Sequence, residues 1–257
     1  MVSLGKLLAA LLAIVGPTAS KEAPKELVLK QGDQIVAMGD SITQQGGYLK
    51  MIDQVLAEQY PDLKLPKIKN VGIGRQKAED MVARFGRDVV ARKPAVVTIS
   101  VGINDVWHRL KNPADPKVLE KYKENVTKMV EMAQGAGARV IVLAPTVIME
   151  DPAAEGNVRL KAYVEAEREI AESKKCVFID LHQMFLEAIE KRPEAIELDE
   201  KKHAYTVDGV HMRPAGDAIM AIGVLKGLGV PDEKIAVKEK AADEQKPADK
   251  EKPAAKK

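Results

Sequence analysis

The chain has one cysteine, one tryptophan, 4% aromatic residues and almost no excess charge, and these scarcities narrow what it can be. A single cysteine, Cys176, makes no internal disulfide, so the fold must rest on a hydrophobic core rather than covalent staples. Within "CVFIDL" it reads as a small buried residue, not a reactive thiol. A formal net charge of +2 over 257 residues gives no strong field of either sign, so nucleic acid is not an expected partner. No apolar run reaches the roughly 20 residues that span a bilayer, so stable membrane insertion is not expected. What is there, 46% hydrophobic and 30% charged residues, suits one globular core.

The two ends stand apart from that core. Residues 1–20 carry a lysine, the apolar run "LLAALLAIVG" and the small-residue stretch "PTAS", the layout of a signal peptide cleaved after Ser20. Export to the periplasm or outside the cell is the matching expectation. Residues 21–32 read as a linker. Residues 231–257, ending in "KEKAADEQKPADKEKPAAKK", read as a disordered charged tail: that final stretch has no large apolar side chain to offset the entropy of ordering.

Between them, over residues 33–230, the pattern alternates. "QIVAMG" (34–39), "KIKNVGI" (67–73), "AVVTISVG" (95–102), "ARVIVLAP" (138–145) and "CVFIDL" (176–181) are short Val- and Ile-rich runs, expected as strands buried on both faces. Helical periodicity lies between them. Met81, Val82, Phe85, Val89 and Val90 share one face, as do Leu119, Tyr122, Val126, Met129, Val130 and Ala133, with Gly135 and Gly137 as stop signals. Residues 157–174 and 182–191 are helical in pattern, and a last helix is entered through Pro214. This alternation predicts an α/β fold with a five-stranded parallel sheet covered on both sides. Right-handed crossovers place the carboxyl ends of the strands on one edge, where open sheets bind ligands.

The polar residues with chemical potential fall in loops at that edge. Ser41 follows the first strand in "GDSITQQGG", Gly72 and Gly74 follow the second, Asn104 follows the third in "GIND", and Asp208 and His211 stand three apart in "DGVHMRPAG". Each has an ordinary reading. A serine between strand and helix is usually an N-cap. Asn104 alone is a turn residue, and Asp40 and Asp105 are expected to bond loop backbone. Asp208 and His211 are a possible zinc pair, but "DLH" at 180–182 is the only other candidate ligand group and no ligand spacing accompanies it, so no metal is expected. "GIG" at 72–74 lacks the third glycine of a dinucleotide loop, and the glycosylation sequon "NVT" at 125–127 sits in a helical pattern. Trp107 and His108 either line a pocket or pack under the loop; His203 has no evident role.

Taken together, "GDSIT", "NVGIG", "GIND" and "DGVH" occur in the order of the four blocks of the GDSL/SGNH hydrolases, which this chain resembles over residues 33–227. The resemblance implies a flavodoxin-like three-layer α/β/α sandwich and a serine esterase without metal or organic cofactor. By position it implies Ser41 as nucleophile, His211 as general base and Asp208 as the residue that orients it. The oxyanion hole would draw on the Ser41 N–H, a block-two N–H and the Asn104 amide. Members of the family commonly carry Ser-Gly or Gly-Gly where this chain has Gly74-Arg75, so either of these two residues is the candidate block-two donor. Asp40, Trp107 and His108 are the candidate substrate-binding residues.

The functional expectation is an exported esterase that removes O-acetyl groups from carbohydrate, on a small-molecule or polysaccharide ester. Its alternatives are a lysophospholipase or thioesterase of the same family, a carbohydrate-binding module that has kept the fold without catalysis, and a hydrolase using a metal at Asp208 and His211. Nothing in the sequence sets the oligomeric state.

Overall fold

The computed structural model describes residues 3–15, 24–192, 196–199 and 203–236. Five parallel strands form one sheet: β1 (Ile35–Met38), β2 (Lys69–Asn70), β3 (Val96–Ser100), β4 (Arg139–Leu143) and β5 (Val177–Ile179), in the order β2-β1-β3-β4-β5. Ten α-helices are described: α1 (Leu4–Leu12), α2 (Ser41–Gln45), α3 (Gly47–Gln59), α4 (Ala78–Asp88), α5 (Ile103–Trp107), α6 (Pro116–Gly135), α7 (Glu155–Lys174), α8 (Leu181–Glu190), α9 (Pro214–Gly227) and α10 (Asp232–Ile235). This is the expected α/β sandwich, with the flavodoxin-like strand order and its switch point between β1 and β3.

Alternation along the strands builds two cores. Ile35 and Ala37 of β1, Val96 of β3 and Ile141 and Leu143 of β4 pack with α3, α8 and α9 on one side. Val36, Met38, Val97, Ile99, Val140, Val142 and Phe178 pack with α4, α6 and α7 on the other. The expected helical faces supply the second core: Met81, Phe85, Val89, Val126, Met129, Val130 and Ala133 are fully buried, while Val82, Val90 and Leu119 are only partly covered. Val90 leaves the face because α4 ends at Asp88 and the chain tightens into a 3-10 turn over Val90–Arg92.

One strand departs from expectation. β2 has two residues, both exposed, where a strand buried on both faces was expected over 67–73. It is an edge strand, paired on one side only, with β1. The ladder continues beyond it by isolated bonds, Val71 N–H to Ala37 O and Ile73 N–H to Gly39 O, both 3.0 Å. These bonds keep the block-two loop registered on the end of β1.

The ends are more closely packed than their composition suggests. α1 lies against α9 with Leu8 and Leu11 fully buried. The expected cleavage point at Ser20 lies outside the described residues. The linker expected over 21–32 docks on the domain where it is described, through a Val28 N–H bond to Leu228 O and a buried Leu29. The tail expected from residue 231 is corrected at its start, because Asp232–Ile235 is helical and Ile235 is fully buried. Residues 237–257 lie outside the described part.

Candidate active site

Ser41 owes its position to its two predecessors. At Gly39 a Cβ would stand 2.0 Å from Thr43 Oγ1, so only glycine lets the chain turn so tightly after β1. Asp40 is then the N-cap of α2, its Oδ1 accepting the Ile42 N–H at 2.9 Å. The capping role weighed for Ser41 therefore belongs to Asp40, and Ser41 is the first helical residue, its hydroxyl not used as the cap. Its N–H, in the first turn, has no intrahelical acceptor.

The imidazole that meets this hydroxyl comes from 170 residues along the chain. Residues 205–213 fold back on themselves: Val207 N–H bonds His211 O and Arg213 N–H bonds Tyr205 O, both at 2.8 Å. Asp208 stands at the tip. Its Oδ1 accepts the Val210 and His211 N–H groups at 3.1 and 2.8 Å, and its Oδ2 meets His211 Nδ1 at 2.7 Å. His211 Nε2 lies 2.9 Å from Ser41 Oγ. Burial pushes the Asp208 carboxyl up, but the His211 and Val210 bonds outweigh it and hold the pKa below the ordinary carboxylate value. An ionised Asp208 accepts from Nδ1–H, which leaves Nε2 as the acceptor for the serine proton.

The block-two loop separates the roles of its two candidates. The Gly74 N–H already donates to Gln44 Oε1 at 2.7 Å. Arg75 takes the left-handed conformation, φ 67°, that glycine would adopt without strain. Among the described residues its N–H has no acceptor. Gly74 is close to the serine, since a Cβ there would lie 3.7 Å from Ser41 Cβ. Asn104 is 2% exposed and donates one Nδ2 hydrogen to Gln76 O at 3.0 Å, which leaves the second for another acceptor. Gln76 is held in turn, its Oε1 accepting Nε of the buried Arg84 at 2.6 Å. The roles of Gln44, Gln76 and Arg84 were not legible in the sequence, because each is defined by a partner on another element.

Trp107 is half-buried and meets the His211 ring edge-on, with centroids 6.1 Å apart. It both packs against the core and borders the site. His108 is exposed; partial desolvation and then the charges of Arg75, Lys77 and Arg109 lower its pKa. Asp40, the other candidate substrate-binding residue, caps α2. It is 2% exposed and turned to the α2 backbone, and burial raises its pKa to about 6 against the opposing pull of the Ile42 N–H and His211. Asp105, expected to bond loop backbone, instead accepts the N–H of Ala78, the first residue of α4, at 3.2 Å.

The "DLH" residues are used elsewhere. Asp180 caps α8 and pairs with Arg168, and buried His182 meets Thr146 O through Nδ1 at 2.6 Å. Among the described residues no three His, Cys, Asp or Glu side chains are grouped to hold a metal ion.

Four cavities among the described residues lie away from these groups. Of about 790, 360, 280 and 190 Å³, they are lined by none of Ser41, Asp208 and His211. The largest lies between α5, α6 and α7, bordered by Val106, Leu119, Val158 and Tyr163. Ser41 and His211 are half-buried, with 21% of the His211 side chain exposed. Three of the exposed large apolar residues adjoin the site in sequence or by hydrogen bond: Ile73 beside Gly74, Val207 beside Asp208, and Met149, whose N–H bonds Gly209 O at 2.7 Å.

The model of the GDSL-like Lipase/Acylhydrolase family matches residues 37–219. An acetylxylan esterase of Geobacillus stearothermophilus is 27% identical over 216 residues, covering 77% of this chain and 94% of that protein. Among solved structures, the Axe2 acetylxylan esterase of the same organism has a TM-score of 0.69 at 26% identity, covering 79% of this chain and 97% of its own. Variants of it with a serine, histidine or aspartate replaced by alanine are described as catalytic mutants. LAE5, from the metagenome of Lake Arreo, shares the fold with a TM-score of 0.68 at 24% identity, covering 79% of this chain and 97% of its own.

Proposed function

Because the chain belongs to the GDSL-like lipase/acylhydrolase family and is a carboxylic ester hydrolase, we propose that Ser41, His211 and Asp208 are its catalytic triad and that it removes O-acetyl groups from carbohydrate outside the cytoplasm. The observation that carries the catalytic part is the unbroken series Ser41 Oγ, His211 Nε2, His211 Nδ1, Asp208 Oδ2, with contacts of 2.9 and 2.7 Å.

A serine hydroxyl is a weak nucleophile until a base within hydrogen-bond reach removes its proton. In the proposed reaction Ser41 Oγ attacks the ester carbonyl carbon while its proton moves to His211 Nε2. Asp208 holds the imidazole in the required tautomer and stabilises the imidazolium. The carbonyl oxygen becomes negative and accepts from the Ser41 N–H, the Arg75 N–H and the free Asn104 Nδ2 hydrogen. We assign the block-two donor to Arg75 because the Gly74 N–H is already bonded. The C–O bond to the sugar then breaks, and the leaving oxygen takes the proton from Nε2. Water enters the acyl-enzyme by the same route, giving acetate and free Ser41.

The substrate part is supported by the similarity to an acetylxylan esterase. The exposed Ile73, Met149 and Val207 favour a second reading, a longer acyl chain laid across the surface. Two measurements test both readings. A fluorophosphonate probe should label Ser41 in the wild type and nothing in Ser41→Ala. A chain-length series of p-nitrophenyl esters should peak at acetate; a maximum at long chains would replace the deacetylase reading with the second.

A further inference from the structure

The Asp208–His211 loop belongs to no strand or helix until α9 begins at Pro214, yet it must hold an imidazole in reach of Ser41. Its leading arm is gripped by one side chain from a distant segment. Glu150, between β4 and α7, accepts the Ala204 N–H on Oε2 at 2.7 Å. On Oε1 it accepts the Tyr205 N–H at 2.8 Å, and the Thr206 N–H and Thr206 Oγ1 at 2.7 Å each. Three successive main-chain N–H groups converging on one carboxylate form an anion nest, and such charge-assisted bonds are roughly twice as strong as neutral ones. The neighbouring residue adds a second tie. Met149 sits at φ 67°, and its N–H bonds Gly209 O at 2.7 Å, between Asp208 and His211.

We propose that Glu150 is the positioning residue of the reaction, fixing the loop so that His211 reaches Ser41. The proposal rests on the triad reading above. The Thr206–Met212 bridge and the Val207–His211 and Tyr205–Arg213 bonds join the gripped arm to the arm bearing the histidine. A displacement of residues 204–206 therefore moves the imidazole. Among the described residues no strand pairs with this arm to replace the carboxylate.

The test compares Glu150→Ala, Glu150→Gln and Thr206→Val with the wild type and Ser41→Ala on p-nitrophenyl acetate, with melting curves for each. Misplacing a catalytic base by about 1 Å costs on the order of 100-fold. Glu150→Ala is therefore expected to lose about 10- to 100-fold in kcat with KM nearly unchanged. The downfield Nδ1–H proton resonance of His211 should weaken with it. Sodium formate, small enough to occupy the emptied nest, should restore part of kcat in Glu150→Ala and none in Glu150→Gln, where sodium chloride of equal ionic strength does nothing. Thr206→Val removes one donor of four and should cost about 2- to 10-fold, which keeps the test open should the Glu150 variants fail to fold. A folded Glu150→Ala, or failing that Thr206→Val, with wild-type kcat and an intact His211 resonance overturns the proposal. Undiminished activity in Ser41→Ala would overturn the triad reading instead.

Discussion

Asp105 offers a quantitative test of the environment behind the site. It stands next to Asn104 in α5, is 5% exposed, and bonds the Ala78 N–H at 3.2 and 3.3 Å. Burial raises its pKa from 3.8 to about 7, opposed by the Ala78 N–H and the charges of Arg109 and Lys77. The native state thus keeps a proton that the unfolded chain sheds near pH 4. Stability falls with pH wherever the native state binds more protons, so the loss accumulates between pH 4 and 7 and then levels off. At about 1.4 kcal/mol for each tenfold change in the ionisation constant, a rise from 3.8 to about 7 amounts to roughly 4 kcal/mol. Asp105→Asn keeps the shape and the acceptor oxygen but cannot ionise. Urea melts of variant and wild type should therefore nearly coincide below pH 4. The variant should become more stable through pH 4–7, reaching an advantage of up to about 4 kcal/mol at pH 8. The buried Asp40 and Asp217, each raised to about 6, are common to both proteins and cancel in the difference. A difference independent of pH, or an asparagine variant less stable at pH 8, would refute the reasoning.

Asn104→Ala should lower kcat on p-nitrophenyl acetate by about 10²–10³-fold with little change in KM, the usual cost of one oxyanion donor. Steady-state kinetics with a melting curve for the same sample checks this. Arg75→Ala and Arg75→Gly should both keep kcat within about threefold, because the proposed donor is the main-chain N–H, which neither change removes. A loss beyond 100-fold on this uncharged ester would assign the role to the guanidinium instead.

The order of the five strands and the helices α4, α6, α7, α8 and α9 were legible in the sequence alone, because they rest on local periodicity; α3, α5 and α10 were not among the expected helices. Val- and Ile-rich runs with the helical faces around Phe85 and Val126 between them leave few arrangements besides a covered parallel sheet. The candidate residues were also legible, since loops at strand ends concentrate ligand chemistry and four short blocks stand in family order. Tertiary structure decided what depends on contacts between distant residues. The edge position of β2 left Lys69 and Asn70 exposed in a run that read as buried. Asp40 turned out to be the cap, freeing Ser41. Gln44 took the Gly74 N–H, which separated two residues that sequence could not tell apart. Glu150 lies 58 residues before Asp208 in the numbering, in a loop with no distinctive motif, and only folding brings its carboxylate to the amides at 204–206. Periodicity reports which face of an element is buried; hydrogen-bond partners between loops are set by three-dimensional proximity, which no local pattern encodes.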